Sequence, residues 1–200
     1  MKHINQRRYS YISYPQNLDN PDSPVGKDGT IRSGGCGLCC ACMVVEQLTT
    51  EEFSVRECTE LAIAVGANHC LGANLRRLGA AVAEKFNLDY ATTNDMDEVL
   101  NALHNGGRVI ALVSAKQPGN KGIFTKSGHY ITLISADEND EICILDPSWT
   151  SQKYKKWIKK GLVRAEGTMI YTTPEILMAE RKYESADFFI FRRKKGNYKV

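Results

Sequence analysis

Apolar residues in the first half of the chain recur mainly at the spacing of helices. The stretch 36–48 is apolar with helical character, and 54–65 begins with Ser54 and Glu57, the two members of a capping box. A third stretch, 73–86, has its large apolar residues at helical intervals, namely Leu75, Leu78, Val82 and Phe86. The pattern therefore predicts an N-terminal half built mainly of helices.

From residue 108 the pattern changes to that of strands. A continuous apolar run at 109–113 is typical of a strand buried on both faces, and 128–134 predicts a second strand. Asn139 and Asp140 indicate a hairpin turn into a third strand, 142–145. Three further short strands are expected, at 88–92, 168–171 and 187–192. The second half of the chain is thus predicted to be mainly sheet.

The remaining segments are consistent with one domain. Residues 8–20 predict a short strand or extended arm, and 17–33, rich in Asp, Asn, Pro and Gly, predict a long irregular loop. Three more helices are expected, from Asn94 as cap to about 105, at 152–159 and from Pro174. No repeat, low-complexity segment or linker divides the chain. We therefore expect a single α+β domain over residues 1–200, with N-terminal helices packed on an antiparallel C-terminal sheet.

Charge gives little indication of a nucleic-acid or membrane partner. The net charge of the 200 residues is +3, and the basic excess lies in 153–160 and 192–199. Neither run alternates with aromatic residues along a predicted sheet face, so both are interpreted as solvated charge and no nucleic-acid partner is predicted. No apolar stretch approaches the length of a membrane span, and no apolar run follows the basic N-terminus. These features predict a cytoplasmic protein, or one exported by another route.

The seven cysteines are interpreted as reduced thiols, because their number is odd and four of them lie within the single stretch 36–42. Cys36 follows Gly34 and Gly35 and begins the first predicted helix. Unpaired N–H groups and the positive end of the helix dipole favour a thiolate there. The glycines leave room for a substrate, and the Cys36 backbone N–H could stabilise a developing oxyanion. Cys36 is therefore a candidate nucleophile.

A histidine and an aspartate are the candidate partners of this thiol. His129 begins an apolar strand directly after Gly128, and Asp146 ends the next strand of the predicted hairpin. Antiparallel pairing brings the start of one strand beside the end of the other, so the carboxylate could hold the imidazole N–H and fix its tautomer. Cys36, His129 and Asp146 together indicate a triad for acyl transfer through a thioester.

Three segments carry a resemblance to a known family. They resemble the bacteriocin-processing, double-glycine-leader cysteine peptidases of bacteria, within the papain-like superfamily. The three segments are 30–37 with the helix that follows it, 127–131 and 145–148. The resemblance covers nearly the whole chain and implies a papain-like fold, with Cys36 as nucleophile, His129 as general base and Asp146 as the residue that orients it. It implies a peptide or protein substrate and requires no metal or organic cofactor.

The resemblance also implies a glutamine upstream of the cysteine that donates to the oxyanion. Gln16 is the glutamine in a plausible place. A papain-like enzyme with a short spacing between this glutamine and the cysteine would have the glutamine at position 30, where this chain has Thr30. The family commonly has proline and small hydroxyl residues directly after the cysteine and glycine, where this chain has Leu38-Cys39-Cys40. Gly35, Gly128 and Trp149 flank the expected cleft and are predicted to contact substrate.

The function predicted is therefore that of a cysteine peptidase, with three alternatives left open. The same triad could serve an amidase or acyltransferase, in which an amine replaces water. A binding module could keep the peptidase fold without its activity. Cys36-x-x-Cys39 with nearby thiols could instead form a zinc or dithiol site, although four thiols crowded on one helix do not resemble the ligand pairs of a zinc site.

Overall fold

The structure is a computed structural model that describes residues 2–15, 27–69, 72–116 and 118–194. A short 3-10 turn, Gln6–Arg8, precedes the first helix. The helices are α1 Ile31–Gly34, α2 Cys36–Leu48, α3 Val55–Ala64, α4 Leu75–Lys85, α5 Met96–His104, α6 Lys155–Lys159 and α7 Pro174–Ala179. The strands are β1 Asn68–His69, β2 Gly72–Ala73, β3 Leu88–Thr93, β4 Arg108–Ser114, β5 Gly128–Ala136, β6 Ile142–Leu145, β7 Arg164–Glu166, β8 Met169–Thr172 and β9 Phe188–Arg193.

Within the described residues, seven strands form one antiparallel sheet in the order β3-β9-β4-β5-β6-β8-β7. The predicted hairpin between β5 and β6 is confirmed, and Asp140 in its turn has a φ of 61°. β4 lies near the centre between β5 and β9, which agrees with its continuous apolar sequence. β1 and β2 form a separate small hairpin that the sequence did not predict.

Helix α2 packs on the face of the sheet formed by β4 and β5. It is apolar on all sides, and its residues from Gly37 to Val45 are buried between the sheet and the helices α3 and α4. Cys39, Cys40 and Cys42 lie in this core, where they act as small apolar side chains. The buried α2 fixes Cys36, its first residue, relative to the sheet.

The opposite face of the sheet carries a second apolar layer, as the prediction of a strand buried on both faces at 109–113 requires. Side chains alternate along β4, so that Ile110 and Leu112 belong to the core around α2. Residues on the other face of β4 belong to a second cluster with α5 and α7. This cluster includes Val99 of α5 and Leu177 of α7. The sheet is thus covered on both sides, which explains why β4 has no polar face.

Two local predictions are wrong. The segment 17–33 was expected to be loop throughout, but its last residues form α1; nothing is described for 16–26, so Gln16 lies outside the described residues. The cap of α5 is Asp95, whose side chain accepts from the Asp97 N–H, whereas the Asn94 side chain donates to the Glu184 carbonyl oxygen 3.1 Å away. A third prediction, the short strand or extended arm at 8–20, is confirmed only in part: its described residues, 8–15, contain one bridge, between Ser13 and Thr30.

The described helices are short compared with the thickness of a membrane. Among the described residues the longest helix is α2, with 13 residues. A membrane-spanning helix needs about 20 residues. None of the described helices is long and apolar enough to cross a bilayer.

Candidate active site

Cys36 lies at the junction of two helices. α1 ends at Gly34, Gly35 forms the N-cap, and Cys36 is the first residue of α2, as the sequence predicted. The first backbone bond of α2 runs from the Cys39 N–H to the Gly35 carbonyl oxygen, over 3.0 Å. Cys36 is partly exposed, in contrast to the buried residues that follow it. A nucleophile here would sit at the positive end of a 13-residue helix.

Gly37 allows α2 to approach its neighbours closely. A Cβ atom at this position would lie 2.5 Å from Leu75 Cδ2, 3.1 Å from the Ala73 Cβ and 3.2 Å from Tyr130 Cδ2. These contacts come from β2, α4 and β5, which surround the start of α2. The missing side chain therefore brings Cys36 close to β5, the strand that carries His129.

His129 and Asp146 meet because β5 and β6 are paired. Thr132 in β5 lies opposite Leu145 in β6, so Asp146 directly follows the paired strand beside the start of β5. His129 Nε2 lies 2.7 Å from Asp146 Oδ1, and both side chains are buried. Cys36 and His129 line the same cleft, and each side chain shifts the pKa of the other. Since Nε2 is occupied by the carboxylate, Nδ1 is the ring nitrogen available to the thiol.

Asp146 is fully buried, and donors other than His129 also reach its carboxylate. Lys153 Nζ and the Tyr154 hydroxyl each donate to Oδ2 over 2.6 Å. The Ser148 backbone N–H donates to Oδ1 over 2.8 Å, and the Ser148 hydroxyl donates to the same oxygen over 3.0 Å. Hydrogen bonds and one cation thus compensate for the removal of this carboxylate from water.

These contacts govern the charges of Asp146 and His129. Burial alone would raise the pKa of Asp146, but His129 and Lys153 hold that pKa well below its usual value, so the residue is a carboxylate. Burial alone would lower the pKa of His129, but the charge and hydrogen bond of Asp146, together with Cys36, raise it to about 9. The imidazole is therefore protonated at neutral pH while it faces the thiol.

The pKa of Cys36 shifts in the opposite direction to that of its neighbouring cysteines. Burial raises it, but the hydrogen bond and charge of His129 and contacts from the backbone of Tyr130 and Gly37 outweigh this effect and lower it. For Cys39 and Cys40, burial dominates and raises the pKa well above that of a free thiol. Among these three thiols on α2, only Cys36 is set up to be a thiolate.

A cleft of about 620 Å³ opens beside Cys36 and His129, and both residues line it. Gly128 also lines the cleft, as predicted, and no atom would lie within 4 Å of a Cβ added there. Gly35 is buried against Ile31 and is not part of the lining. Trp149 packs against His3, with ring centroids 6.3 Å apart, and is also not part of the lining. Substrate contact by Gly35, Gly128 and Trp149 stays a prediction.

The residues that surround Asp146 could not be identified from the sequence. Lys153 was interpreted as part of a solvated basic run, and Ser148 and Tyr154 were given no role at the site, yet all three contact the carboxylate. A fourth, His3, has its Nε2 2.7 Å from the Asp146 carbonyl oxygen although it lies 143 residues away. No local pattern marks these residues, because the path of the chain after β6 and the placement of the N-terminus bring them together.

Among known proteins, similarity to this chain was found in solved structures and concerns the fold. No protein-family model matches the sequence, and no curated protein matches it. The solved structures similar to this chain include the peptidase domain of Streptococcus ComA, a bi-functional ABC transporter involved in a quorum-sensing pathway. That domain has a TM-score of 0.50 and 12% sequence identity, with coverage of 80% of this chain and 91% of the other.

A second similar structure is a Bacillus anthracis protein described as a C39-like peptidase. It has a TM-score of 0.54 and 12% identity, and the match covers 97% of this chain and 99% of that chain. The chain therefore has the fold of bacteriocin-processing, C39-type peptidases, and the predicted fold class is confirmed. The roles of individual residues depend on the geometry of this site.

Proposed function

We propose that this protein is a cysteine peptidase in which Cys36 is the nucleophile, His129 the general acid and base, and Asp146 the residue that orients His129. The observation that carries the proposal is that the partly exposed Cys36 and His129 line one cleft, while His129 Nε2 lies 2.7 Å from the buried Asp146 carboxylate. The peptidase fold of the two similar structures supports the same conclusion.

In the first half of the reaction, the Cys36 thiolate attacks the carbonyl carbon of a peptide bond in the cleft. The carbonyl oxygen becomes an oxyanion, which N–H groups at the start of α2, the Cys36 N–H among them, can stabilise. His129 then gives its proton to the leaving amine, the C–N bond breaks and a thioester remains. A His129 pKa of about 9 keeps this proton available at neutral pH.

In the second half, water hydrolyses the thioester. Neutral His129, held in place by Asp146, accepts a proton from the attacking water, and the C–S bond then breaks to release the carboxylic acid. The thiolate and the imidazolium are thereby restored. An amine in place of water would give acyl transfer with the same residues.

The first test is the rate of iodoacetamide alkylation at each cysteine as a function of pH, followed by mass spectrometry. We expect Cys36 alkylation to persist well below the pH at which a free thiol of pKa about 8.5 loses reactivity. In His129→Gln the lowering effect on the Cys36 pKa is removed, so the profile should move to higher pH. A native profile equal to that of the unfolded chain would overturn the proposal and favour a binding module.

The second test is hydrolysis of a mixed peptide pool, with products identified by mass spectrometry. We expect Cys36→Ala to abolish hydrolysis, because no other residue supplies the nucleophile in the proposed reaction. The matched control is Cys39→Ala, one helical turn away and buried, which should retain most of the activity of the folded protein. Equal loss in both variants, with both folded, would favour a dithiol or metal site instead.

A further inference from the structure

The cleft beside Cys36 carries more positive than negative charge. Apart from Cys36 and His129, the described residues that line it include three cations, Arg76, Lys116 and Lys182, and one carboxylate, Glu184. Glu184 Oε1 lies 3.0 Å from Lys182 Nζ, so this carboxylate is already paired within the cleft. The lining therefore has an excess of cations before any substrate binds.

Two of these cations have no carboxylate partner in the part of the chain that the structure describes. Arg76 Nη2 donates to the uncharged Ser185 hydroxyl over 2.8 Å, and neither Arg76 nor Lys116 lies within ion-pair distance of a described carboxylate. Exposed cations on a convex surface act weakly because water and salt screen them. Arg76 and Lys116 instead line one concave cleft together with Cys36, where low-dielectric walls concentrate the field.

Helix termini add to the same potential. Asn74, Leu75 and Arg76, which line the cleft, are the N-cap and the first two residues of the 11-residue helix α4. Cys36 is the first residue of α2 and also lines the cleft. The positive ends of two helix dipoles are thus directed towards the space in which the cations lie. Backbone and side chains favour an anionic group there.

The inner wall of the cleft is apolar. Leu75, Leu112 and Phe189 line it and are otherwise buried in the core around α2. An apolar substrate side chain seated on them would be removed from water, which favours binding by about 25 cal/mol for each Å² of apolar surface buried. The cleft therefore combines an apolar wall with positively charged residues.

From this combination we propose that the substrates are acidic peptides, in which an Asp or Glu side chain lies close in sequence to an apolar residue near the cleaved bond. The acidic side chain pairs with Arg76 and Lys116, and the apolar one packs on the wall formed by Leu75, Leu112 and Phe189. This proposal rests on the proposed peptidase function and names its substrate class.

The first experiment compares alkylation of Cys36 by iodoacetate, an anion, and by iodoacetamide, its neutral analogue. Both reagents need the same thiolate, so the ratio of their rates is independent of the thiolate fraction and reports the potential in the cleft. We expect the double variant Arg76→Gln/Lys116→Gln to lower the iodoacetate-to-iodoacetamide ratio at least about threefold at low ionic strength.

The matched control is Arg77→Gln/Lys159→Gln, which removes the same two charge types outside the cleft. Arg77 follows Arg76 on α4 but donates to the Gly66 carbonyl oxygen, and Lys159 lies in α6. The control ratio should equal that of the native protein. An equal ratio in the native protein and the cleft variant would overturn the substrate proposal, even if Cys36 reacts rapidly at low pH as the peptidase proposal requires. Slow alkylation at low pH with a reduced ratio in the cleft variant would instead count against the peptidase alone.

The second experiment asks which peptides protect Cys36 from iodoacetamide. Three random peptide pools, of Glu and Leu, of Gln and Leu, and of Lys and Leu, are compared at equal concentration. We expect the Glu/Leu pool to protect most, and the cleft variant to lose that advantage while the control variant keeps it. Equal protection by the three pools, or stronger protection by the Lys/Leu pool, would overturn the proposal.

Discussion

At the scale of single residues, Asp146 connects the most groups in the site. One carboxylate oxygen accepts from His129 and Ser148, and the other accepts from Lys153 and Tyr154. His129 is thus held in one orientation by a carboxylate that is itself fixed from several sides. Lys153 differs from Ser148 and Tyr154, because it brings a positive charge as well as a hydrogen bond.

Replacing Lys153 by methionine should raise the pKa of His129 above about 9. The Lys153 cation shares the Asp146 charge and repels the imidazolium, so its loss leaves more of the negative charge to His129. We expect an increase of at least about half a pH unit. It can be measured by NMR titration of the ¹³C-labelled histidine rings, with the His129 signal assigned from His129→Gln.

The control for this titration is Lys155→Met, two residues along the chain on exposed α6. Its His129 signal should titrate as in the native protein, and Lys153→Arg should restore the native value because the cation is kept. A His129 pKa that stays constant or falls in Lys153→Met would contradict an electrostatic role for this lysine. A purely structural role predicts loss of stability without an upward shift.

The residues of this site differ in how far sequence alone could reveal them. Cys36, His129 and Asp146 could be found because each stands at the predicted end of an element, where pairing of β5 with β6 brings two of them together. Lys153 could not, because its sequence neighbours form a basic run typical of solvent-exposed residues. Its contact with Asp146 depends on the course of the chain after β6, which no local periodicity describes.

At the scale of secondary-structure elements, the site depends on how closely α2 packs on its neighbours. Gly37 permits this packing, since a Cβ there would lie 2.5 Å from Leu75 Cδ2 and 3.2 Å from Tyr130 Cδ2. Leu75 is fully buried and has little room to move away. A methyl group at position 37 would therefore push α2 away from α4 and β5.

Gly37→Ala should lower the free energy of unfolding by about 1–3 kcal/mol, the usual cost of overpacking a core. This exceeds the gain of up to about 1 kcal/mol that alanine brings to a helix interior. The measurement is urea unfolding followed by circular dichroism. The matched control is Gly128→Ala, where no atom lies within 4 Å of the added Cβ, and its unfolding free energy should change by much less. Equal stability of the two variants would show that α2 does not need this close approach.

The elements that sequence predicted well are those with long periodic patterns or clear caps. Helix α3 has the capping box of Ser54 and Glu57, and β4 has an uninterrupted apolar run. The missed elements, among them α1, β1 and β7, have two to four residues each, too few for a period to show. They form because tertiary contacts hold them, as when Ile31 N–H donates to the Ile12 carbonyl oxygen.

At the scale of the whole molecule, the pair Cys36 and His129 connects folding to pH. Folding raises the pKa of His129 from about 6.5 to about 9, so the imidazolium stabilises the fold below pH 6.5 and this contribution is lost as the pH rises towards 9. Folding lowers the pKa of Cys36, so the thiolate contributes stability that is fully present above pH 9 and is lost as the pH falls. Between these limits the two contributions change in opposite directions.

Removing Cys36 should therefore expose the pH dependence that His129 alone creates. In Cys36→Ala, Asp146 still raises the His129 pKa, so the folded chain should bind more protons than the unfolded chain and stability should fall as the pH rises. Relative to the native protein, the unfolding free energy should decline by up to about 1.4 kcal/mol per pH unit between pH 7 and 9. Urea unfolding of both proteins at several pH values measures this difference, in which the titrations of all other groups cancel. The double variant Cys36→Ala/His129→Gln should lose this decline in unfolding free energy. If the unfolding free energy of Cys36→Ala changes with pH between 7 and 9 as that of the native protein does, no thiolate–imidazolium pair forms on folding.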